Sequence, residues 1–216
     1  SPISRSIGDR WRRKKLAMQI SRHLSGRFLA PEAIQTSAMD CGPASLKSLL
    51  EGFGVSASYG RLREACQTGV DGTSIDTMEE AAVQLGLDAV QVMLPLDHLL
   101  DRAADALPGI VVVRQPNGST HFVVAWRRHG PLVQVMDPGV GRRWMGIGRF
   151  LEDVYEHRMP IDAAAWREWA GSDSFMDVLR ARMKRLGAVD ARLIADALAD
   201  SGAAKLARLD AAVRMT

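Results

Sequence analysis

Two hydrophobic periodicities divide the 216-residue chain, and their order restricts its fold more than any other feature. From Cys41 the apolar positions Ala44, Leu46, Leu49, Leu50 and Phe53 follow the spacing of one helix face, with Gly52 or Gly54 to stop it. Pro43 is tolerated only in a first turn, so Cys41 stands at or just before that helix's N-terminus. Two more helices are expected, over residues 59–67 and from a Thr73/Ser74 cap through Leu85 to Gly86. A strand over 89–94 and a short helix over 96–106 follow. The period then changes to two, over 110–114, 120–127, 132–136 and 142–145, broken by a turn at Pro116-Asn117-Gly118 and another at His129-Gly130. A last helix is expected over 149–157. Helices followed by an antiparallel meander make an α+β domain, with an N-terminal helical subdomain packed on an antiparallel sheet.

Composition narrows the class. With 47% hydrophobic and 25% charged residues, the chain is neither disordered nor a membrane protein. No apolar run approaches the roughly 18 residues of a membrane span. The charged stretch Arg10 to Lys15 is followed by no apolar segment of a secretory signal, so a cytosolic location is expected. One globular domain is expected, spanning 31–160, with extensions on either side.

The net charge of +3 conceals an asymmetry. Residues 1–30 hold eight Lys/Arg against one Asp, so the remainder, with 20 Lys/Arg against 24 Asp/Glu, is acidic. In 1–30, Trp11, Leu16, Met18 and Ile20 are interleaved with basic residues. Such a segment reads either as one that lies on an anionic membrane surface or a partner, or as a solvated arm. Residues 161–216 are Ala-rich, with helical spacing at Phe175, Val178, Leu179, Met183 and Leu186 and a capping-box pattern from Ser174 to Asp177. They read as helices that need a partner surface, and the pattern reaches Thr216 without a stop signal, so the natural protein is expected to continue. There is no internal repeat.

Cys41 and Cys66 are too few for a disulfide scaffold, and no Cys/His spacing suggests metal. Cys66 lies mid-helix and reads as structural. At a helix start, the partial positive charge favours the thiolate, the nucleophilic form. A thiolate needs an imidazole partner. His23, His98, His129 and His157 sit where a solvated or capping histidine is ordinary, whereas His121 begins the apolar strand His121-Phe122-Val123-Val124-Ala125-Trp126. If the hairpin turns on Arg128-His129-Gly130 without a bulge, opposed residue numbers sum to about 258 and His121 faces Asp137. Asp137-Pro138-Gly139 also reads as a plain turn. Gln35, in the loop before Cys41, is a candidate amide donor to an oxyanion.

The run Gln35-Thr36-Ser37-Ala38-Met39-Asp40-Cys41-Gly42-Pro43-Ala44-Ser45-Leu46, with His121-Phe122-Val123-Val124 and Val135-Met136-Asp137-Pro138 downstream, resembles the bacteriocin-processing cysteine peptidases. These are the N-terminal domains of peptidase-containing ABC transporters. The match covers about residues 31–160. It implies a papain-like peptidase that cuts a leader peptide after a double-glycine motif before the transporter exports the cargo. By position it implies Cys41 as nucleophile, His121 as general base and acid, Asp137 as its orienter and Gln35 as oxyanion donor. Asp40 matches the acidic position before the nucleophile, with no role implied.

The resemblance further implies a leader held as an amphipathic helix in a surface groove and a channel too narrow for side chains at the paired glycines. Residues near 59–62 and 78–83 could form that groove or belong to the core. Implied partners are the leader and the transmembrane and ATP-binding domains of a transporter, at the cytoplasmic face of the membrane. No cofactor is implied in this chain, since ATP and magnesium belong to a separate ATPase domain.

The basic residues 1–30 depart from the family pattern. The chain has neither a membrane span nor a G-x-x-x-x-G-K-[ST] loop, so 161–216 resemble the connector toward a first membrane helix. Two other readings are a non-catalytic leader-binding module, opposed by the intact Cys41, His121 and Asp137, and a nucleic-acid binder. The second rests on Arg12-Arg13-Lys14-Lys15 and a pI of about 9.1 but is opposed by the acidic remainder.

Overall fold

The computed structural model describes residues 27–157, 160–188 and 190–215. The reading of residues 1–30 as a basic segment falls outside them except at residues 27–30. The chain divides into two compact units where a single globular domain with extensions is expected. The first runs to Met93 and resumes over Leu107–Tyr155; the second comprises Leu94–Ala106 and the chain from Glu156.

In the first unit, helix α1 spans Cys41–Gly52, with Pro43 in its first turn as expected. It ends where Gly54 takes a left-handed φ of +80 and Val55 donates back to the Leu50 carbonyl at 2.8 Å. α2 (Tyr59–Ala65) and α3 (Ile75–Gln84) are capped by Ser58 and Ser74, whose hydroxyls accept from Arg61 and Asp76 N–H groups. α2 stops two residues early because Gln67 turns left-handed.

The sheet is a meander, β1 (Gly109–Arg114), β2 (Thr120–His129), β3 (Leu132–Asp137) and β4 (Gly141–Gly146), antiparallel throughout and in that spatial order. α4 covers Ile147–Asp153, beginning and ending earlier than expected. Val154 leaves the helix to bridge Val113, and Tyr155 N–H donates to the Val112 carbonyl at 2.9 Å.

The strand expected at 89–94 is absent. The Gln91 N–H goes to the Glu79 carboxylate, and its side-chain amide to Glu79 and Asp76, with no neighbouring strand beside it among the described residues. The helix expected at 96–106 shrinks to a single 3-10 turn, Leu96–His98. Asp101 caps the Ala103 N–H and Asp105 takes a positive φ, both of which interrupt helical bonding.

α1 lies between two apolar clusters. Leu46 and Leu50 join Leu62, Met78, Ala81 and Ala82, while Leu49 joins Ala30, Ala33, Val124, Trp126 and Met136. Most apolar residues considered as a groove are therefore core; Val83 stays exposed. At Gly52 a Cβ would overlap the Trp126 ring, so glycine lets the indole close the end of α1.

The second unit contains α5 (Ala163–Ala170), α6 (Asp173–Arg185), α7 (Ala191–Ala199) and α8 (Ala204–Arg214). These helices bury Ala170, Phe175, Leu179, Met183, Ala197 and Leu206 against one another, which supplies the partner surface their spacing demands. The capping box from Ser174 does not form: α6 already starts at Asp173, and Asp177 pairs with Arg180 at 3.1 Å. His98, expected in solvent, is buried between Trp169 and Phe175 with its Nε2 3.3 Å from Arg214, and burial pushes its pKa down. Among the described residues no helix is long and apolar enough to cross a membrane.

Candidate active site

Cys41 is the first residue of α1, half-buried, with its sulfur in the positive field of the helix start. Asp40 takes the capping position, yet its side chain makes no cap bond. The thiol interacts with His121 and with the backbone N–H groups of Phe122 and Gly42. Burial by itself raises its pKa. The His121 bond, the Phe122 N–H, the imidazolium charge and the Gly42 N–H together bring it below its ordinary value. Cys66 is buried with no such partners and is pushed up to about 11, consistent with a structural thiol.

His121 and Asp137 meet, though not by the expected register. The hairpin pairs His129 with Leu132, Arg128 with Val133 and Arg127 with Gln134, so its turn is Gly130-Pro131. A bulge at Trp126 then takes one residue back, giving Ala125 opposite Val135 and Val124 opposite Met136. Continued, that register sets Val123 opposite Asp137, two residues from the expected partner. Two is the side-chain period of a strand, so His121 stays on the face of Asp137 as its diagonal neighbour.

The imidazole spans that diagonal. Its Nε2–H donates to Asp137 Oδ1 at 2.9 Å, which leaves Nδ1 for the thiol. Burial lowers the imidazole pKa, but the Asp137 bond, the Cys41 bond and both negative charges raise it to about 9. Asp137 Oδ1 also accepts the Gly139 N–H at 2.9 Å, and Oδ2 accepts from Arg143 Nη2 at 3.1 Å. Burial alone would raise the Asp137 pKa. The His121 bond, the Gly139 N–H and the charges of His121 and Arg143 instead hold it below the usual carboxylate range. A thiolate–imidazolium pair backed by a carboxylate is an arrangement for nucleophilic attack followed by proton delivery to a leaving group.

Asp137→Asn should therefore lower the pH at which activity fails. A general acid at His121 would have to be protonated to deliver its proton, so a raised pKa would preserve activity up to about pH 9 and removing Asp137 would bring the alkaline limb down. Loss of one charge-assisted hydrogen bond also predicts a roughly 10- to 100-fold slower reaction. A pH–rate profile checks both; an unmoved alkaline limb would show that Asp137 does not act on His121.

Gln35 donates its backbone N–H to the Pro138 carbonyl at 3.0 Å, which ties it to the chain just beyond Asp137. Its buried amide oxygen has no hydrogen-bond partner among the described residues. A half-turn of the amide would present N–H there instead.

Arg143 escaped the sequence reading. It could have been found by extending the register to β4: Asp137 pairs with Gly141, so Arg143 lies two residues along on the same face. The pairing of buried Asp40 with half-exposed Arg63 was also missed, and no local pattern announces it. Among the described residues no group of His, Cys, Asp and Glu could hold a metal ion.

Residues 31–156 match the family model of the peptidase C39 family. The chain belongs to that family. This C39 chain is 26% identical to the lactococcin-G-processing and transport ATP-binding protein LagD of Lactococcus lactis, over 59% of this chain and 20% of LagD. It is 32% identical to the pediocin PA-1 transport/processing ATP-binding protein PedD of Pediococcus acidilactici, over 43% of this chain and 13% of PedD. It thus spans a fifth or less of these two relatives.

The peptidase domain of Streptococcus ComA, described as a bi-functional ABC transporter involved in a quorum-sensing pathway, superposes with a TM-score of 0.52 at 27% identity. That match covers 56% of this chain and 90% of the ComA domain. A double glycine motif protease from an AMS/PCAT transporter, solved with a leader peptide, shares the fold at a TM-score of 0.51 and 23% identity, over 60% of this chain and 88% of the protease. Residues 31–156 have the papain-like α+β fold of a C39 cysteine peptidase domain.

Proposed function

We propose that this C39 domain cuts leader peptides after a double-glycine motif, with Cys41 as nucleophile, His121 as base and acid, Asp137 as orienter and Gln35 as oxyanion donor. The observation that carries the reading is the alignment of Cys41, at a helix start in a C39 domain, with His121 and, through the hydrogen bond of His121, with Asp137. The Cys41 thiolate attacks the carbonyl of the second glycine, and a C–S bond forms as the carbonyl π bond opens to an oxyanion. Collapse breaks the C–N bond while the His121 imidazolium gives its proton to the departing cargo amine. Water, deprotonated by the now neutral imidazole, hydrolyses the thioester and frees the leader as a carboxylic acid.

The chemistry uses no cofactor. Leader release is coupled to export by the transmembrane and ATP-binding domains of an ABC transporter, so ATP and magnesium act at that ATPase. The domain works at the cytoplasmic face of the membrane, residues 161–216 connect it to the transporter, and nucleic acid is not a partner. The names of LagD and PedD, which join processing, transport and ATP binding, support this coupling.

A synthetic peptide ending its leader in Gly-Gly should be cut after the second glycine, and Val at either glycine should prevent cutting. Mass spectrometry of the products reads both outcomes. Binding without cleavage would favour a leader-binding module, and cleavage elsewhere would overturn the specificity.

A further inference from the structure

Asp40 places a fully buried carboxylate one residue before Cys41, where negative charge opposes a thiolate. An acidic residue at a helix start ordinarily turns its carboxylate onto the first N–H groups and takes up the positive field itself. Asp40 does not. Its carboxylate is turned aside: Oδ1 forms an ion pair with Arg63 Nε at 2.7 Å, and Oδ2 accepts from Thr36 Oγ1 at 2.7 Å. Arg63 reaches in from the last turn of α2, half-exposed. One helical turn earlier, the Tyr59 hydroxyl accepts the Thr36 N–H at 3.3 Å and lies 3.5 Å from the Asp40 carbonyl as donor. α2 therefore grips the loop that carries Gln35 at one end and Cys41 at the other. The N–H of Gly42 stays available to the sulfur.

We propose that Asp40 and Arg63 are positioning residues that act as a charge-balanced unit, in which Arg63 cancels Asp40 so that the ionisation of Cys41 is left to the helix field, His121 and the N–H groups around the sulfur. The proposal deepens the peptidase reading by assigning control of its nucleophile. The charged or titratable groups facing this corner are Arg63 and Tyr59 from α2, His121 from β2 and, behind it, Asp137 from β3. Removing either member should leave the other's charge beside the thiol, and the two removals have opposite signs.

The test follows alkylation of Cys41 by iodoacetamide against pH on the full chain, located by peptide mass mapping. Cys66, pushed up to about 11, stays silent below pH 9. Arg63→Met should raise the Cys41 midpoint by about one pH unit, the shift expected of a unit charge several ångströms away at an effective dielectric of about 40. Asp40→Asn should lower it. The double variant should return close to the parent, and Arg63→Lys, which keeps the charge, should stay within about 0.3 unit of it. A generally loosened fold would move both single variants the same way, so shifts of one sign, or no shift in either, overturn the proposal. Each single variant carries its own sign and remains decisive if the other does not fold. The readout needs no substrate, so a failed cleavage assay would count against the peptidase reading and leave this one standing.

Discussion

Cys41→Ala is expected to abolish cleavage of a double-glycine leader peptide, a loss of roughly four orders of magnitude or more. No other described thiol can replace it, because Cys66 is buried in the apolar cluster beneath α1 and its pKa is pushed up to about 11. His121→Ala should cost nearly as much. The imidazole supplies the bond and charge that hold the thiolate, and by the proposed mechanism it also supplies the proton for the leaving amine. The losses should not add: in Cys41→Ala, a further His121→Ala should change almost nothing, since the pair acts as one device. Residual cleavage by Cys41→Ala comparable to the parent, in a preparation freed of other peptidases, would remove Cys41 from the mechanism.

Gln35→Ala should lower kcat by about 100- to 1000-fold with KM within about twofold, the cost of losing one donor to a developing oxyanion. Such a donor meets its charge only in the transition state, so ground-state binding is spared. Gln35 suits this task because its backbone is anchored at Pro138, beside Asp137, and because its buried amide oxygen has no partner among the described residues. The control is Gln35→Glu, which keeps the size but offers an acceptor; it should be no faster than Gln35→Ala. Equal kcat in parent and Gln35→Ala would mean that backbone N–H groups at the start of α1 stabilise the oxyanion alone.

The shape of the pH dependence follows from the same contacts. Activity should rise as the thiol ionises, at a pH below that of an ordinary cysteine, and fall as His121 loses its proton near pH 9. The Asp40 and Arg63 variants act on the first limb and Asp137→Asn on the second, so a single set of profiles separates the two sides of the pair.

Local features read correctly from the sequence share a short range. Pro43 allowed only a first turn, which set Cys41 at a helix start. Ser74 and Gly86 bounded α3, and alternation marked all four strands to within a residue or two. Each of these is decided by a residue's own backbone preference and its neighbours within one turn.

The failures were of two kinds. At 89–94 the apolar alternation suited a strand, but no neighbouring strand among the described residues pairs with it, and the Gln91 N–H goes to the Glu79 carboxylate instead. Sequence pattern carries no information on whether a partner strand is present. At 96–106 helical spacing was overridden by Asp101 and Asp105, whose backbone arrangements suit a chain folded against α5, α6 and α8.

Sequence by itself determined which residues could do chemistry, because a thiol at a helix start, a histidine opening an apolar strand and an aspartate at a strand end are each conspicuous locally. Tertiary structure decided how they meet. The predicted pairing of His121 and Asp137 was off by two residues, through a misplaced turn and an unforeseen bulge, and it held only because two is the period of a strand. The contacts of Arg143 with Asp137 and of Arg63 with Asp40 arise between elements whose relative placement is set by burial of the core around α1. Only the folded chain brings those charges together.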